Sequence, residues 1–284
     1  MYKKLLLFIY KWVEKINKHT DVALHNLRQH LYFMDYEDRE TDIYLVTYIK
    51  SGTTWMQVIL HNLVTDGNMD FEHIYDVSPW PQNEAYNGDS VERINKLPSP
   101  RILKSHDKYA FYNADCKNKF IFVYRDGKDV AVSLFHHNKN YKDPDLTFDE
   151  NFKEYFSDST EQANWFKFTN EWLQNKNNFN ILYVSYDDMK NNFDASLERI
   201  ASFLNIELTA EKLERTKKHA SFEYMKQHES KFGEIPPAHA RLVYNQFIRK
   251  GESGEGNTMM NEQQNSLFDE KFQKMIKPFL DKLQ

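Results

Sequence analysis

The sequence predicts an α/β protein in which a central parallel sheet is flanked by helices. Three short, continuous apolar runs carry this prediction: residues 43–48 (IYLVTY), 120–124 (FIFVY) and 181–185 (ILYVS). Each run is followed by a stretch with helical periodicity, and this alternation is typical of βαβ units whose sheet is covered on both faces. The 284 residues show no repeat, linker or break in composition, so we expect a single domain over residues 1–284.

The remaining elements follow from the same periodicities. Helices are expected at residues 54–64, at 129–137 and around Leu197, Ile200, Phe203 and Leu204. Residues 101–104 (RILK) predict a fourth short strand. A stripe at helical spacing near the end of the chain is interpreted as core packing; it comprises Phe268, Phe272, Met275, Ile276 and Phe279.

The N-terminal run at residues 5–10 (LLLFIY) is too short to span a bilayer, which needs about 20 apolar residues. The preceding lysines Lys3 and Lys4 make a signal peptide conceivable, but Lys11 ends the apolar run early and no small-residue cleavage site follows. We interpret the run as the apolar face of a first helix, and we expect a cytoplasmic protein with no membrane partner.

Charge and cysteine content exclude further classes of function. The chain has 37 basic and 42 acidic residues and a formal net charge of −5, whereas general nucleic-acid binders usually present a basic surface. No nucleic-acid partner is therefore expected. The single cysteine, Cys116, can form neither an intrachain disulfide nor a cysteine-based metal site.

The turn after the first strand has the composition of an anion site. Gly52 lets the loop curl so that backbone N–H groups and the helix N-terminus face inward, while Lys50 adds a full charge. The neighbouring hydroxyls belong to Ser51, Thr53 and Thr54. The loop is not a Walker A motif, because its lysine precedes a single glycine. The alternative is an ordinary helix N-terminus capped by a serine or threonine.

Two further basic segments predict anion contacts. Arg125 follows the strand at 120–124, where its guanidinium can bind a phosphate through two hydrogen bonds, and Ser133 lies further along the next helix. The alternative for Arg125 is a solvated ion pair with Asp126 or Asp129. The run Arg249-Lys250-Gly251 is a weaker signal on its own.

Taken in order, these segments closely resemble the motifs of the cytosolic-type sulfotransferases. Residues 47–55 resemble that family's 5′-phosphosulfate-binding loop, 124–133 its 3′-phosphate-binding segment, 249–251 its late R-K-G element, and 100–106 the segment bearing its catalytic histidine. Residues 184–190 and 219–225 are similar to two stretches that hold the adenosine. The similarity runs from about residue 40 to the end of the chain.

The resemblance implies the P-loop NTPase-like sulfotransferase fold and an enzymatic function. The implied reaction moves the sulfuryl group in line from 3′-phosphoadenosine 5′-phosphosulfate (PAPS) to an alcohol, phenol or amine of a small molecule, releasing adenosine 3′,5′-bisphosphate (PAP), with no metal required. Carried over by position, the implied donor-binding residues are Lys50, Ser51, Gly52, Thr53, Thr54, Trp55, Arg125, Ser133, Tyr186, Ser221, Phe222, Met225, Arg249, Lys250 and Gly251.

The same resemblance implies three catalytic residues and two acceptor-site residues. His106 would be the general base, a task for which imidazole is well suited near neutral pH. Lys50 would stabilise the charge that develops on the bridging oxygen as the nucleotide leaves, and Lys104 would steer the transferring group or the acceptor. Trp80 and His137 would line the acceptor pocket, although exposed packing and a surface role are the respective alternatives.

The chain departs from the family pattern at several positions. Ile49 replaces a usual proline at the entry to the first loop, and Ala220 replaces a usual threonine. After Arg249-Lys250-Gly251 the tryptophan and lysine of the family's G-D-W-K-N are missing, and so is the short dimerisation motif that commonly follows. The oligomeric state therefore stays open, as does the identity of the acceptor, because acceptor pockets are shaped by variable loops.

Two other functions compete with this interpretation. The first is a P-loop phosphotransferase or kinase in which Asp187 or Asp188, after the strand at 181–185, acts as a Walker B-like acid. The second is a nucleotide-binding protein without catalytic activity, against which the presence of both Lys50 and His106 argues.

Overall fold

A four-stranded parallel sheet forms the centre of the protein, as seen in a computed structural model that describes residues 2–16, 21–157, 164–233 and 247–283. The strands are β1 (Ile43–Thr47), β2 (Ile102–Ser105), β3 (Lys119–Tyr124) and β4 (Asn180–Ser185). Their spatial order is β2-β1-β3-β4. Each strand predicted from its apolar run is present, within two residues of the expected bounds.

Helices surround this sheet in the part of the chain that the structure describes. They are α1 (Tyr2–Ile16), α2 (Asp21–Met34), α3 (Thr53–Val64), α4 (Pro81–Asn87), α5 (Glu92–Asn95), α6 (Gly127–Tyr141), α7 (Phe148–Phe156), α8 (Trp165–Gln174), α9 (Tyr186–Asn191), α10 (Phe193–Leu204), α11 (Ala210–His219), α12 (Phe222–Gln227), α13 (Glu229–Phe232), α14 (Glu255–Met259), α15 (Glu262–Met275) and α16 (Lys277–Leu280). Short 3₁₀ turns cover Ile74–Asp76 and Tyr109–Phe111.

Both faces of the sheet are covered, which explains why the strands read as continuous apolar runs rather than alternating ones. Along β1, Tyr44 and Val46 pack into the core on one face, while Ile43 and Leu45 pack into the core on the other. The first core is rich in aromatic side chains; among them are Phe120, Phe122, Trp165, Phe166 and Trp172. The second core is mainly aliphatic and lies under α3 and α10.

Parallel pairing brings the carboxyl ends of all four strands to one edge of the sheet. Val46 pairs with Ser105 of β2 and with Phe122 of β3, and Tyr124 pairs with Ser185 of β4. In this strand order the connections diverge between β1 and β3, which is where open α/β sheets bind their ligands. The loops after β1, β2, β3 and β4 therefore meet at this edge.

Two predicted helices differ from expectation. The C-terminal stripe is divided, because α15 ends at Met275 and Pro278 lies in the first turn of α16. The N-terminal run does form a helix, α1, but much of its apolar face is exposed rather than packed. No helix among the described residues is long and apolar enough to cross a membrane.

Candidate active site

The loop between β1 and α3 leaves the start of α3 without a side-chain cap. Lys50 (φ 66°) and Gly52 (φ 97°) take left-handed backbone conformations, and Gly52 is the N-cap residue. No side chain accepts a hydrogen bond from the first turn of α3, and the buried Ser51 Oγ has no hydrogen-bond partner among the described residues. The serine- or threonine-capped helix considered above is therefore not formed. Free N–H groups and an orphaned hydroxyl fit the requirements of a bound anion.

A close approach to Tyr186 explains why the N-cap residue is glycine. Tyr186 begins α9 at the end of β4, and its ring lies against Gly52. A Cβ added to Gly52 would lie 2.7 Å from Tyr186 Cδ2, and φ at this position is 97°. Both the backbone conformation and the packing therefore exclude a side chain here.

Replacing Gly52 with alanine should therefore damage both the fold and the loop. We expect the free energy of unfolding to fall by about 2 kcal/mol, since strained left-handed backbone alone costs roughly 1–3 kcal/mol and the contact with Tyr186 adds to it. PAP affinity, measured by calorimetry, should fall by at least about tenfold because the loop N–H groups are displaced.

The matched control is Gly254→Ala. Gly254 also has positive φ, at 94°, but a Cβ there meets no atom within 4 Å. This variant should show the backbone cost alone, about 1 kcal/mol, with a much smaller change in PAP affinity. Equal effects of the two substitutions on PAP binding would contradict the importance of the Tyr186 contact.

Arg125, at the end of β3, ties the segments of the site together. Its Nη1 donates to the Lys50 carbonyl (3.4 Å) and its Nη2 to the Glu252 carbonyl (2.7 Å), while its guanidinium lies 4.4 Å from the centre of the Tyr186 ring. Arg125 Nε is buried without a hydrogen-bond partner among the described residues. Arg125 Nη2 also lies 3.9 Å from Asp129 Oδ2, but both side chains are largely buried, so this is not the solvated ion pair considered above.

Asp129 anchors the third basic segment beside the other two. Its carboxylate accepts hydrogen bonds from the backbone N–H groups of Gly254 (2.7 Å) and Gly256 (2.9 Å). Gly256 packs so tightly on α6 that a Cβ would lie 2.4 Å from Lys128 Cβ. The altered stretch after Gly251 therefore has a structural role of its own.

Arg249 and Lys250 are both paired with one carboxylate. Glu255 accepts hydrogen bonds from the Arg249 guanidinium and from Lys250 Nζ (2.8 Å). The hydrogen bond from Arg249 is the main reason why the pKa of Glu255 is lowered to about 2. Two of the cations expected to hold a phosphate thus already share an internal anion.

The residues expected around an adenine lie together beside α3. Trp55 Nε1 donates to the Ala220 carbonyl (2.8 Å), and the Trp55 ring stacks on Phe193 at 5.9 Å between centroids. Tyr186 meets Trp55 edge-on at 5.4 Å. On α12, Met225 is buried, Ser221 caps the helix, and the exposed Phe222 ring lies against Gly251. These contacts bring together the loop after β1, the start of α9 and α12.

His106 follows β2 and is held by the end of β1. Its Nδ1 lies 2.8 Å from the Thr47 carbonyl, which can only accept, so in the neutral imidazole Nδ1 carries the proton and Nε2 is the unprotonated nitrogen. Thr47 Oγ1 lies 3.3 Å from the same nitrogen and 2.6 Å from Thr53 Oγ1. One residue of β1 therefore contacts both the histidine and the start of α3.

Lys104 and Trp80 flank His106. Lys104 is only 3% exposed, although it is a lysine, and its Nζ donates to the Tyr75 hydroxyl (2.8 Å). The same Nζ lies 4.2 Å from the centre of the Trp80 ring, and the Trp80 ring meets His106 edge-on at 5.0 Å. Trp80 is thus half-buried against the histidine rather than exposed, and its indole Nε1 is buried without a described partner.

Ser133 and His137 lie further along α6. Both are half-buried, and the His137 ring stacks on Tyr141 at 5.0 Å, one turn further along the same helix. Because α6 begins at Gly127, Ser133 lies in its second turn. Position alone assigns neither residue a ligand contact.

Asp107, which the sequence did not single out, adds a buried carboxyl next to His106. Burial raises its pKa to about 6, although a hydrogen bond from Ser105 Oγ (2.6 Å) partly opposes this shift. Ser105 Oγ also accepts from the Tyr112 hydroxyl (2.9 Å), so the carboxyl belongs to a network under the end of β2.

This raised pKa predicts a specific dependence of stability on pH. Protonation favours the folded state, so the stabilisation is fully present below the unfolded-state pKa of about 3.8 and lost as the pH rises through about 6. Asp107→Asn has no carboxyl group to titrate and does not lose this stabilisation. As the pH rises through this window, the free energy of unfolding of the variant minus that of the wild type should therefore increase, by no more than about 3 kcal/mol. Urea unfolding of both proteins at about pH 4 and about pH 8 measures this difference. Parallel pH profiles for the two proteins would contradict it.

Comparison with known proteins identifies the family. The family model described as the sulfotransferase domain matches residues 40–280. The chain belongs to the sulfotransferase family. The sulfotransferase is 35% identical to an amine sulfotransferase of Oryctolagus cuniculus over 253 residues, which cover 86% of this chain and 84% of that protein. It is 30% identical to sulfotransferase 1B1 of Mus musculus over 255 residues, covering 85% of each.

Solved structures agree with this sulfotransferase fold. A mouse sulfotransferase complexed with PAP superposes with a TM-score of 0.67 at 24% identity, covering 85% of each chain. A retinol dehydratase complexed with androsterone and PAP gives a TM-score of 0.65 at 23% identity, covering 87% of this chain and 83% of the other. The predicted sulfotransferase fold is thereby confirmed.

Proposed function

We propose that this sulfotransferase transfers the sulfuryl group of PAPS to a hydroxyl or amine of a small molecule, with His106 as general base and PAP as the released product. The observation that carries the proposal is the double contact of Thr47, whose hydroxyl lies 2.6 Å from Thr53 Oγ1 and 3.3 Å from His106 Nδ1. This contact supports a base positioned beside the loop that would hold the sulfonate.

Residues at three strand ends, at and along α12, and in the segment 249–251 would hold the donor nucleotide. The uncapped N-terminus of α3, with Ser51, Thr53 and Thr54, suits the 5′-phosphosulfate. Trp55, Tyr186 and the cluster Ser221, Phe222 and Met225 suit the adenosine. Arg125, Ser133, Arg249, Lys250 and Gly251 suit the 3′-phosphate. The orphaned Ser51 Oγ and Arg125 Nε fit this assignment, because each is a buried polar atom that an anion oxygen would satisfy.

The chemistry then follows from the roles of a few side chains. PAPS supplies an activated sulfuryl group. Nε2 of His106 takes the acceptor proton as the acceptor oxygen or nitrogen bonds to sulfur, and the bond from sulfur to the bridging oxygen breaks. Lys50 stabilises the charge left on that oxygen. Lys104, held by Tyr75, orients the acceptor side. A sulfuryl group carries less negative charge than a terminal phosphoryl group, so we expect activity to survive a metal chelator.

The acceptor class remains broad in this proposal. One relative carries the name amine sulfotransferase, and the compared retinol dehydratase was solved with androsterone. We propose that Trp80 forms one wall of the acceptor site, because its ring lies 5.0 Å from His106. His137 is proposed as a more distant contact of the same pocket.

Nucleotide binding tests the proposal against a phosphotransferase. In calorimetric titrations, PAP should bind without Mg²⁺. It should bind at least about tenfold more tightly than adenosine 5′-monophosphate, because only PAP has a 3′-phosphate that can contact Arg125 and the segment 249–251. The variant Arg125→Ala should lose this preference. Binding that requires ATP with Mg²⁺, without affinity for PAP, would overturn the proposal and favour the kinase. Against the kinase, Asp187 lies in the first turn of α9 and accepts a hydrogen bond from Ser253 Oγ (2.6 Å).

Removing the negative charge of Glu255 should increase the affinity for PAP. Because its carboxylate competes with a 3′-phosphate for Arg249 and Lys250, Glu255→Gln should raise PAP affinity by roughly fivefold. The matched control is Glu252→Gln, which removes the same charge from an exposed side chain in the same segment. If both variants gained affinity equally, the effect would be one of general charge, and direct competition by Glu255 would be wrong.

A further inference from the structure

Helix α1 exposes an unusually large apolar surface. Of the twelve large apolar side chains that the structure shows as strongly exposed among the described residues, six lie on this one helix. They are Tyr2, Leu5, Leu7, Phe8, Ile9 and Trp12. Phe8 is 68% exposed and Trp12 is 58% exposed. Leu5, Phe8, Ile9 and Trp12 recur at helical spacing, so they form one continuous stripe, and a contiguous exposed apolar patch of this kind marks an interaction site.

The stripe is exposed because α1 is seated on α2 by its other side. The Tyr10 hydroxyl accepts from Arg28 Nε (3.0 Å), and Lys3 forms an ion pair with Asp35. Leu6 and Tyr10 are half-buried on this side. The helix therefore already has a partner within the fold, and the stripe faces away from it.

The apolar stripe lies outside both cores of the protein. Among the described side chains, neither core includes one from α1. The sulfotransferase match covers residues 40–280, so α1 and α2 precede it. The stripe therefore does not contribute to the packing of the matched domain.

The charge of α1 is opposite to that of the chain. The protein as a whole has a formal net charge of −5, whereas α1 carries four lysines and one glutamate. Lys4, which precedes Leu5 in the sequence, is exposed. A helix with an excess of lysine and an exposed stripe that contains Trp, Phe and Leu has the composition of helices that bind anionic membrane surfaces.

From these observations we propose that α1 lies in the interface of an anionic lipid bilayer, with Leu5, Phe8, Ile9 and Trp12 at the acyl boundary and Lys4 at the headgroups. With 15 residues the helix is too short to span a bilayer and would lie parallel to its surface. The sequence predicts no membrane partner because the apolar run is too short to cross a bilayer. Binding to the bilayer surface does not require the helix to cross it, so the short run does not exclude surface binding.

Lipid fits this surface better than a second copy of the chain does. An isologous dimer through the stripe would bring together two α1 helices that each carry an excess of positive charge, and like charges at an interface oppose association. Anionic headgroups, by contrast, complement the positive charge of α1 while the acyl region takes the apolar side chains.

Vesicle flotation of the full-length protein tests the proposal. We expect flotation with phosphatidylcholine vesicles that contain phosphatidylserine and much weaker flotation with phosphatidylcholine alone. The double variant Phe8→Gln and Trp12→Gln, which changes no charge, should lower the ratio of bound to free protein by at least about tenfold. The matched control is Phe111→Gln, which removes another exposed aromatic ring away from α1 and should float like the wild type. Unchanged circular dichroism and PAP affinity show that the variants fold.

Tryptophan fluorescence gives a second readout that does not depend on catalysis. Anionic vesicles should shift the emission of the wild type to shorter wavelength, and Trp12→Phe should abolish this shift while keeping the flotation. The proposal is overturned if the wild type does not float, if neutral vesicles bind it equally well, or if the double variant floats unchanged. It is also overturned if analytical ultracentrifugation shows a wild-type dimer that the double variant dissociates without any lipid binding.

Discussion

Replacing His106 with alanine should lower kcat for sulfuryl transfer by about 10²–10⁴-fold, with PAP affinity nearly unchanged. The reason is that in the proposed mechanism Nε2 of His106 accepts the acceptor proton, whereas other residues would hold the donor. Steady-state kinetics with a fixed acceptor give kcat, and calorimetry gives the PAP dissociation constant. Added imidazole should restore part of the activity of His106→Ala, because it can enter the space and accept the same proton.

The matched control is His30→Ala. His30 is an exposed histidine on α2 and lines a surface pocket with Asp38 and Lys117, which precede β1 and β3. It therefore lies towards the amino ends of the strands, and its removal should leave kcat unchanged. Full turnover in His106→Ala would show that another group accepts the proton. A loss in His106→Ala that came with an equal loss of PAP binding would show a structural role instead.

Replacing Lys50 with methionine should lower kcat by about 10²–10³-fold, the usual cost of removing one donor that stabilises charge in a transition state. Methionine keeps much of the length and apolar stem of lysine, so the contact of Lys50 with the Phe247 ring, 4.5 Å from Nζ, is largely retained. The loss should appear in kcat more than in KM, because the charge on the bridging oxygen develops only as the bond to sulfur breaks.

Lys50→Arg is the companion variant. It keeps the charge but changes the geometry, and it should recover part of the lost kcat. The acceptor takes part in the bond that forms to sulfur, whereas Lys50 acts on the bond that breaks. The loss of kcat in Lys50→Met should therefore be similar for different acceptors. A rise in KM with unchanged kcat would contradict the role in stabilising the leaving group.

Local sequence signals were sufficient for the sheet and for the loop around Gly52, whereas most other candidate site residues depended on the family resemblance. Buried strands such as Ile43–Thr47 and Lys119–Tyr124 could be predicted because both faces of the sheet are covered. Apart from their terminal residues Thr47 and Lys119, these strands consist of apolar and aromatic residues. The loop around Gly52 could be predicted because its lysine, glycine and hydroxyl-bearing residues are consecutive in the sequence. His106 depended on the resemblance of its segment to a family motif, since a histidine after a strand is not a strong signal on its own.

The contacts that tune the site were not predictable in the same way. Tyr75 holds Lys104 from 29 positions away, Glu255 pairs with Arg249 across a turn, and Asp129 binds the backbone of Gly254 and Gly256. Each depends on the folding of separate segments towards one edge of the sheet, which no local pattern encodes. The exposure of α1 was missed for a related reason: periodicity shows that a helix has an apolar face but does not show what that face meets.

The most direct test of the central claim is transfer of label from PAPS carrying a radioactive sulfuryl group, with PAP formation followed in the same reaction. Phenols, steroids, aliphatic alcohols and amines serve as acceptors, and His106→Ala serves as the matched variant. We expect at least one acceptor to become labelled in step with PAP release, and we expect His106→Ala to lose nearly all of this transfer. Tight PAP binding without label transfer to any acceptor would contradict this expectation and would indicate a nucleotide-binding protein without catalytic activity.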